Sequence, residues 1–307
     1  MAENLINVSI IIPTHNEEKN IGNTLQSILN QDKNVRVDNN IIHLDTEIIM
    51  IDSGSTDNTV AVALSYKQKF KKFNAYMTHH FHHSITRNFG AKKASGEILI
   101  FLNADAKPAN KYWLKNLVLP LLKGYAASFS RQIPPSNLLS VDSLLVVAGF
   151  PDASYSIDKS NYVEYFSKFG VLLSSVSCGI DRQIFFSIGG FNKYVPINED
   201  QELALRLIKS GHKIFYAANS CVVHAHSDHP IKTPIRYYRY GVGWKIIAQL
   251  HRDFKQKYSM EIPKSIIQQI FTKELDGSRR IVISLGRIKT FIYTTIALIS
   301  AGVGRYL

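Results

Sequence analysis

Carboxylates, imidazoles and hydroxyls gather in a few short stretches of this chain. Thr14-His15-Asn16-Glu17, Asp52-Ser53-Gly54-Ser55-Thr56-Asp57 and Asn103-Ala104-Asp105 mix oxygen donors with turn-forming residues, and Glu199-Asp200 and His224-Ala225-His226 follow later. Carboxylate and imidazole donors suit a divalent ion, and a divalent ion neutralises phosphate groups. That need is real if the ligand carries phosphate, because both glycine-rich phosphate cradles, GxGxxG and GxxxxGK[ST], are missing. Each cluster alone also matches an ordinary turn or helix cap. His79-His80-Phe81-His82-His83 invites a zinc reading. Four imidazoles within five residues cannot converge on one ion, however, and no Cys or carboxylate joins them.

The elements that must position these groups are legible from hydrophobic patterning. Val8 to Pro13 reads as a buried strand, and Glu17 to Gln31 as a helix with Ile21, Leu25, Ile28 and Leu29 on one face and Glu17 and Glu18 in its first turn. Glu47 to Ile51 is a second strand, followed by a helix running to about Lys72. Arg87 to Ser95 reads as a helix closing at Gly96, and Glu97 to Leu102 as a third strand. Strand and helix in alternation predict a parallel sheet covered on both faces, with ligands at the carboxyl ends of its strands. The first three polar clusters fall at those ends. That coincidence makes three unrelated turns a poor account of them.

Further along, Leu203, Leu207 and Ile208 set a helix that closes at Gly211, with Glu199 and Asp200 in its first turn. The helix dipole favours an ionised carboxylate there, which suits a general base and equally suits an acidic turn that only stabilises the helix. A strand from Lys213 to Ala218 and the following Cys-Val-Val lead to His224. His224 then reads as a metal ligand or as part of a polar surface turn.

The chain has 36 Lys+Arg against 24 Asp+Glu, a formal charge of +12. Residues 226–307 hold 14 basic and 5 acidic side chains, so +9 of the excess lies in that region. Cys178 and Cys221 lack metal-ligand spacing and read as buried thiols of a reducing compartment. No signal peptide is evident, and Thr290 to Gly304, uncharged over 15 residues, falls short of the ~20 needed to span a bilayer. The expected location is cytoplasmic and peripheral at the cytoplasmic membrane face.

Several motifs in order resemble the inverting glycosyltransferases of family 2: Ile-Pro13-Thr14-His15-Asn16-Glu17, Asp52 to Asp57, Arg87-Asn88-Phe-Gly90, Asn103-Ala-Asp105, Gly189-Gly190-Phe191 and Asn198-Glu199-Asp200-Gln-Glu202-Leu. Phe81-His-His83-Ser-Ile-Thr86-Arg87-Asn88 and His224-Ala-His226, with the run Arg236-Tyr-Tyr-Arg239-Tyr-Gly241, are similar to the rhamnosyltransferase-like branch. The resemblance spans about residues 7–226. It implies the GT-A nucleotide-sugar-binding fold, an α/β domain over residues 1–226 with a mostly parallel central sheet; outside it, residues 227–307 read from their own pattern as a basic, aromatic, helical C-terminal extension.

It also implies roles. Asp200, with Glu199 beside it, would be the catalytic base. Pro13, Thr14, Asn16, Glu17, Asp52, Ser53, His83, Arg87, Asn103 and Asp105 would bind the nucleotide diphosphate sugar, and Asp105 and His224 would hold Mn2+ or Mg2+. The family commonly has Asp where this chain has Asn103, so one charge is lost beside the metal. Arg236 and Arg239, a helical turn apart, would fold over the diphosphate or face lipid headgroups. The region from Arg131 to Ile180 must hold much of the acceptor pocket. Thr290 to Gly304, flanked by Arg287, Lys289 and Arg305, reads as a membrane-surface helix or as one packed on protein. The implied partners are the donor and a glycan or lipid-linked acceptor, and the basic tail adds an anionic membrane surface as an expected partner. A sugar-nucleotide nucleotidyltransferase would need a glycine-rich basic loop after the first strand. A nucleic-acid-binding protein would leave Glu199-Asp200 and Asp105 unexplained.

Overall fold

The computed structural model describes residues 4–79, 81–138, 140–227, 229 and 232–253. The expectations for Thr290 to Gly304 and its flanking basic residues lie outside the described residues.

One ten-stranded sheet contains β1 (Asn4–Thr14), β2 (Asn34–Val37), β3 (Asn40–Asp52), β4 (Phe73–Met77), β5 (Ile98–Leu102), β6 (Lys107–Pro108), β7 (Ala127–Ile133), β8 (Tyr155–Ile157), β9 (Ser177–Asp181) and β10 (Ile214–Val223). The order is β2-β3-β1-β5-β9-β7-β10-β6, with β4 on β3 and β8 on β10. β1 pairs in parallel with β3 and β5, β3 with β4, and β7 with β10. β9 runs antiparallel between β5 and β7, and β2, β6 and β8 are antiparallel too. The expected mostly parallel sheet is therefore corrected to a mixed one. The first half of the chain, with its strand and helix alternation, gave no sign of β9, which reverses the chain in mid-sheet. Because β5 and β7 both oppose β9, the carboxyl ends of β1, β3, β4, β5, β7 and β10 still share one edge.

Nine α-helices among the described residues cover the sheet: α1 (Ile21–Leu29), α2 (Thr59–Leu64), α3 (His83–Lys93), α4 (Trp113–Leu122), α5 (Val141–Gly149), α6 (Tyr162–Phe169), α7 (Arg182–Ser187), α8 (Glu199–Lys209) and α9 (Lys232–Leu250). The central strands carry continuous apolar runs, residues 10–13 in β1, 48–51 in β3 and all of β5, because alternate residues feed two cores. Ile11, Ile49, Ile51, Leu99 and Phe101 pack beneath α3, α7 and α8, whereas Ile10, Ile12, Ile48, Met50 and Ile100 pack beneath α1 and α4. α1 starts later than its periodicity suggested. Glu17 and Glu18 lie in the turn before it, where the Glu17 carbonyl accepts from the N–H groups of Asn20 and Ile21. Of the two thiols, Cys178 is buried and Cys221 only partly so.

α9 lies just past the expected boundary at residue 226 and packs on the loop that leads into α8. Gly243 makes this approach, and a Cβ there would sit 2.5 Å from the Ile197 carbonyl oxygen and 2.8 Å from its Cγ2. Asn198, held at φ 64, donates from Nδ2 to the Tyr240 carbonyl at 3.0 Å. Gly243→Ala should therefore destabilise the fold. Overpacking costs about 1–3 kcal/mol, against a helix-propensity gain of about 1 kcal/mol. A lower thermal midpoint than the natural chain is the expected result, and an unchanged one would show that the loop yields freely.

Candidate active site

Polar residues cluster where the strands open. Pro13 pairs with Ile51 and Thr14 with Asp52, so the tips of β1 and β3 are level. Asp52 is buried and shapes its own turn. It accepts from Thr14 Oγ1 at 3.2 Å, Ser55 Oγ at 2.5 Å, and the backbone N–H groups of Gly54 and Ser55 at 3.1 and 2.9 Å. Ser53 donates its N–H to the Thr14 carbonyl at 2.9 Å, and its hydroxyl meets Thr78 at 3.1 Å. Asn16, at φ 57, clasps the same turn by accepting from Thr56 N–H at 2.8 Å. Glu17 follows, tied by Asn20 Nδ2 at 2.7 Å. Burial and the nearby Asp105 and Asp57 carboxylates outweigh that bond and raise its pKa.

At the ends of β5 and β10 sits a denser group. His224 Nε2 lies 3.6 Å from Asp105 Oδ2, an ion-pair distance too long for a hydrogen bond. Its Nδ1 bonds Gln132 Oε1 at 2.8 Å, and Gln132 in turn donates to Ser174 Oγ at 2.9 Å. Burial pulls His224 down and Asp105 more than offsets it, so its pKa is raised. Burial pushes Asp105 up, and His224 with His226 brings it below the ordinary carboxylate range. Donor atoms of Asp105, His224 and His226 all lie within 4.8 Å of one another, and His224 Nε2 is buried without a hydrogen-bond partner. A divalent ion fits this donor set.

The third group stands at the start of α8. Asp200 accepts from the N–H of Ser175 at 2.8 Å and of Gln201 at 2.8 Å. Burial first, then the neighbouring Glu199 carboxylate, push Asp200 up to about 6. The dipole was expected to keep this group firmly ionised. Burial and a like charge next door raise its pKa against that pull, yet a value near 6 still leaves the carboxylate mostly ionised at neutral pH. Glu199 pairs with Arg87 Nη1 at 3.0 Å, both side chains almost fully buried, and accepts from Ser175 Oγ at 3.2 Å. Arg87 Nη2 donates to Asn103 Oδ1 at 2.7 Å. His83, one turn before Arg87, is pushed down to about 3 by burial and by that guanidinium.

A cleft of about 830 Å³ joins the last two groups. His224, His226, Asp200, Glu199, Arg87, Asn103 and His83 line it, with Arg236, Arg239 and Tyr240 of α9 on the far wall. Residues 9–140 match Glycosyl transferase family 2. The chain is 32% identical over 255 residues to the O-antigen chain rhamnosyltransferase RfbN of Salmonella typhimurium, covering 80% of this chain and 75% of that one. The chain belongs to glycosyltransferase family 2.

The O-antigen chain rhamnosyltransferase WbaN of Salmonella anatum is 30% identical over 215 residues, or 68% of this chain and 66% of that one. In fold, this family 2 enzyme is similar to the mannosyltransferase PcManGT from Pyrobaculum calidifontis, solved in complex with GDP-Man and Mn2+, with a TM-score of 0.64 at 16% identity over 97% of this chain and 86% of that one. It is also similar to S. aureus TarS 1-349 in complex with UDP-GlcNAc, with a TM-score of 0.60 at 17% identity over 91% and 76%. The fold is the α/β GT-A type.

The structure brings Asn103, Asp105, Glu199, Asp200, His83, Arg87, His224 and Arg236 together and leaves Pro13, Thr14, Asn16, Asp52 and Ser53 at the paired ends of β1 and β3 and in the turns that follow them. Arg87 is tied to Glu199 and Asn103 and nearly sealed from solvent, so its visible work is internal. Sequence reading missed Gln132, Ser175 and Asp142. Gln132 sits at the end of β7 on the same edge as the other clusters, a position that would have marked it had β7 been recognised. Asp142 pairs with Arg236 Nη2 at 3.4 Å and holds the His226 N–H at 2.9 Å.

Proposed function

We propose that this enzyme moves a sugar, rhamnose by its likeness to the Salmonella enzymes, from a nucleoside diphosphate donor to a hydroxyl of a glycan or lipid-linked acceptor, inverting the anomeric carbon. The observation that carries this reading is Asp200, a carboxylate poised near 6 in the same cleft as His224, whose ring stands beside Asp105. Its ionised form takes the proton of the acceptor hydroxyl while the acceptor oxygen bonds to the anomeric carbon from one face. The bond to the donor phosphate breaks on the opposite face, and the nucleoside diphosphate leaves with the electron pair. Mn2+ or Mg2+ held by Asp105 and His224 would supply charge neutralisation to that leaving group. Arg236 and Arg239 line the cleft where they can meet the diphosphate. Pro13, Thr14, Asn16, Glu17, Asp52 and Ser53 form the turn on which the nucleoside would rest.

The acceptor end is built by α5 and by residues 169–176, within the stretch assigned to acceptor binding. The basic region beyond α9 supports an anionic membrane surface as partner. Among the described residues no helix is long and apolar enough to cross a membrane.

The test is nucleoside diphosphate release from a panel of nucleotide sugars, with Mn2+ and a glycan acceptor, across pH 5 to 8. Because the base works ionised and its folded pKa is near 6, turnover should be low below that pH, rise through it, and level off above about 7. A flat profile, or no donor consumed, would overturn the reading.

A further inference from the structure

We infer that His226 is the third protein ligand of the metal centre, so that Asp105, His224 and His226 form a two-imidazole, one-carboxylate site that takes Mn2+ or Zn2+ in preference to Mg2+. This deepens the transferase reading above and rests on it.

The residue that would supply a first carboxylate is Asn103, and its Oδ1 already accepts from Arg87 at 2.7 Å. That leaves Asp105 as the one carboxylate of the cluster. The site compensates on its other side. Gln132 Oε1 can only accept, so the 2.8 Å bond puts the hydrogen on His224 Nδ1 and leaves Nε2 with a lone pair. That Nε2 is buried, has no hydrogen-bond partner, and lies 3.6 Å from Asp105. A buried nitrogen in this state has given up water without replacement, which a metal bond would repair.

His226 is fixed beside it by its backbone. Asp142 Oδ2 accepts its N–H at 2.9 Å, and its carbonyl accepts from Ser140 Oγ at 2.8 Å, so the start of α5 holds the peptide on both sides. The two imidazoles meet edge to face with centroids 4.9 Å apart, and all three donor atoms fall within 4.8 Å. Carboxylate and water suit Mg2+, whereas each imidazole added shifts preference toward Mn2+ and Zn2+. The preference follows from one carboxylate and two imidazoles in the donor set, with position 103 an amide engaged by Arg87.

The experiment titrates the full chain with each metal alone, reading free Mn2+ by its electron paramagnetic resonance signal and Zn2+ and Mg2+ by competition. The natural chain should bind Mn2+ and Zn2+, with Mg2+ displacing Mn2+ only at about ten-fold excess or more. His226→Ala should weaken Mn2+ binding about ten-fold or more, and Gln132→Leu, which frees the His224 ring, about 10–100-fold. Thermal unfolding without metal checks that each variant is folded, with His226→Gln as a second replacement. Unchanged Mn2+ affinity in both folded His226 variants, or Mg2+ competing at parity, would overturn the inference. So would Asn103→Ala costing as much Mn2+ affinity as His226→Ala. A chain that binds Mn2+ as expected yet consumes no donor would sustain the centre and overturn the transferase reading, so the two fail separately.

Discussion

Asp200→Asn is expected to lower kcat by at least about a hundredfold while donor binding stays near that of the natural chain. The reason is the division of labour in the cleft. On the proposed reading the donor would be held by the turns after β1 and β3, around Asp105 and His224, and by α9, whereas Asp200, among the described residues, meets the backbone N–H groups of Ser175 and Gln201 and the Gln201 amide. An amide keeps the size and one acceptor oxygen but cannot take a proton. The remaining cost falls on the Ser175 N–H bond, which the new NH2 group would oppose, so a modest change in thermal midpoint accompanies the kinetic loss. Donor affinity is read from thermal stabilisation by the nucleotide sugar, and kcat from nucleoside diphosphate release. A variant that keeps half of its turnover would remove Asp200 from the chemistry. A variant that loses donor stabilisation in step with turnover would make it a binding residue.

Asp200 also shows where sequence was informative and where it stopped. Its position in the first turn of α8 followed from Leu203, Leu207, Ile208 and Gly211, because a helix face is written locally at a period near four. Its protonation behaviour did not follow. Local reasoning supplied the dipole and nearby N–H groups, both favouring the anion. The opposing influences are burial under residues 173–175 and the Glu199 charge, and burial is a tertiary quantity that no window of α8 contains.

The sheet divides in the same way. β1, β3 and β5 contain continuous apolar runs and were legible as central strands. β9 reads Ser-Cys-Gly-Ile-Asp, and its antiparallel placement between β5 and β7 depends on where the chain returns after residues 134–176. The pairing of Asp105 with His224 was legible in part, since both follow strand ends, but their arrangement required β10 to carry His224 past a bulge between Ala217 and Cys221. Gln132 had no motif at all.

Arg87→Met carries the largest expected loss of stability, and its pH behaviour separates a positioning residue from a donor contact. Side-chain exposure is 3% for Arg87 and 5% for Glu199. Removing the guanidinium also removes its bonds to the His83 carbonyl at 3.2 Å and Asn103 at 2.7 Å. What remains is a buried carboxylate with no counter-charge, a change that costs about 3–5 kcal/mol against a typical total of about 5–15 kcal/mol. A much lower thermal midpoint is expected. The variant should also show a displaced acid limb. Burial and Glu199 raise the Asp200 pKa, while the Ser175 and Gln201 N–H bonds and Arg87 lower it, so loss of Arg87 removes one lowering influence, and the limb near 6 moves to higher pH. Adding Glu199→Gln removes the stranded charge as well. The double variant should then recover part of the midpoint and bring the limb back toward its starting pH, an interaction that a double-mutant cycle measures directly. If Arg87 instead served the donor, the single variant would raise KM for the nucleotide sugar with the limb unmoved, and Glu199→Gln would restore neither stability nor affinity.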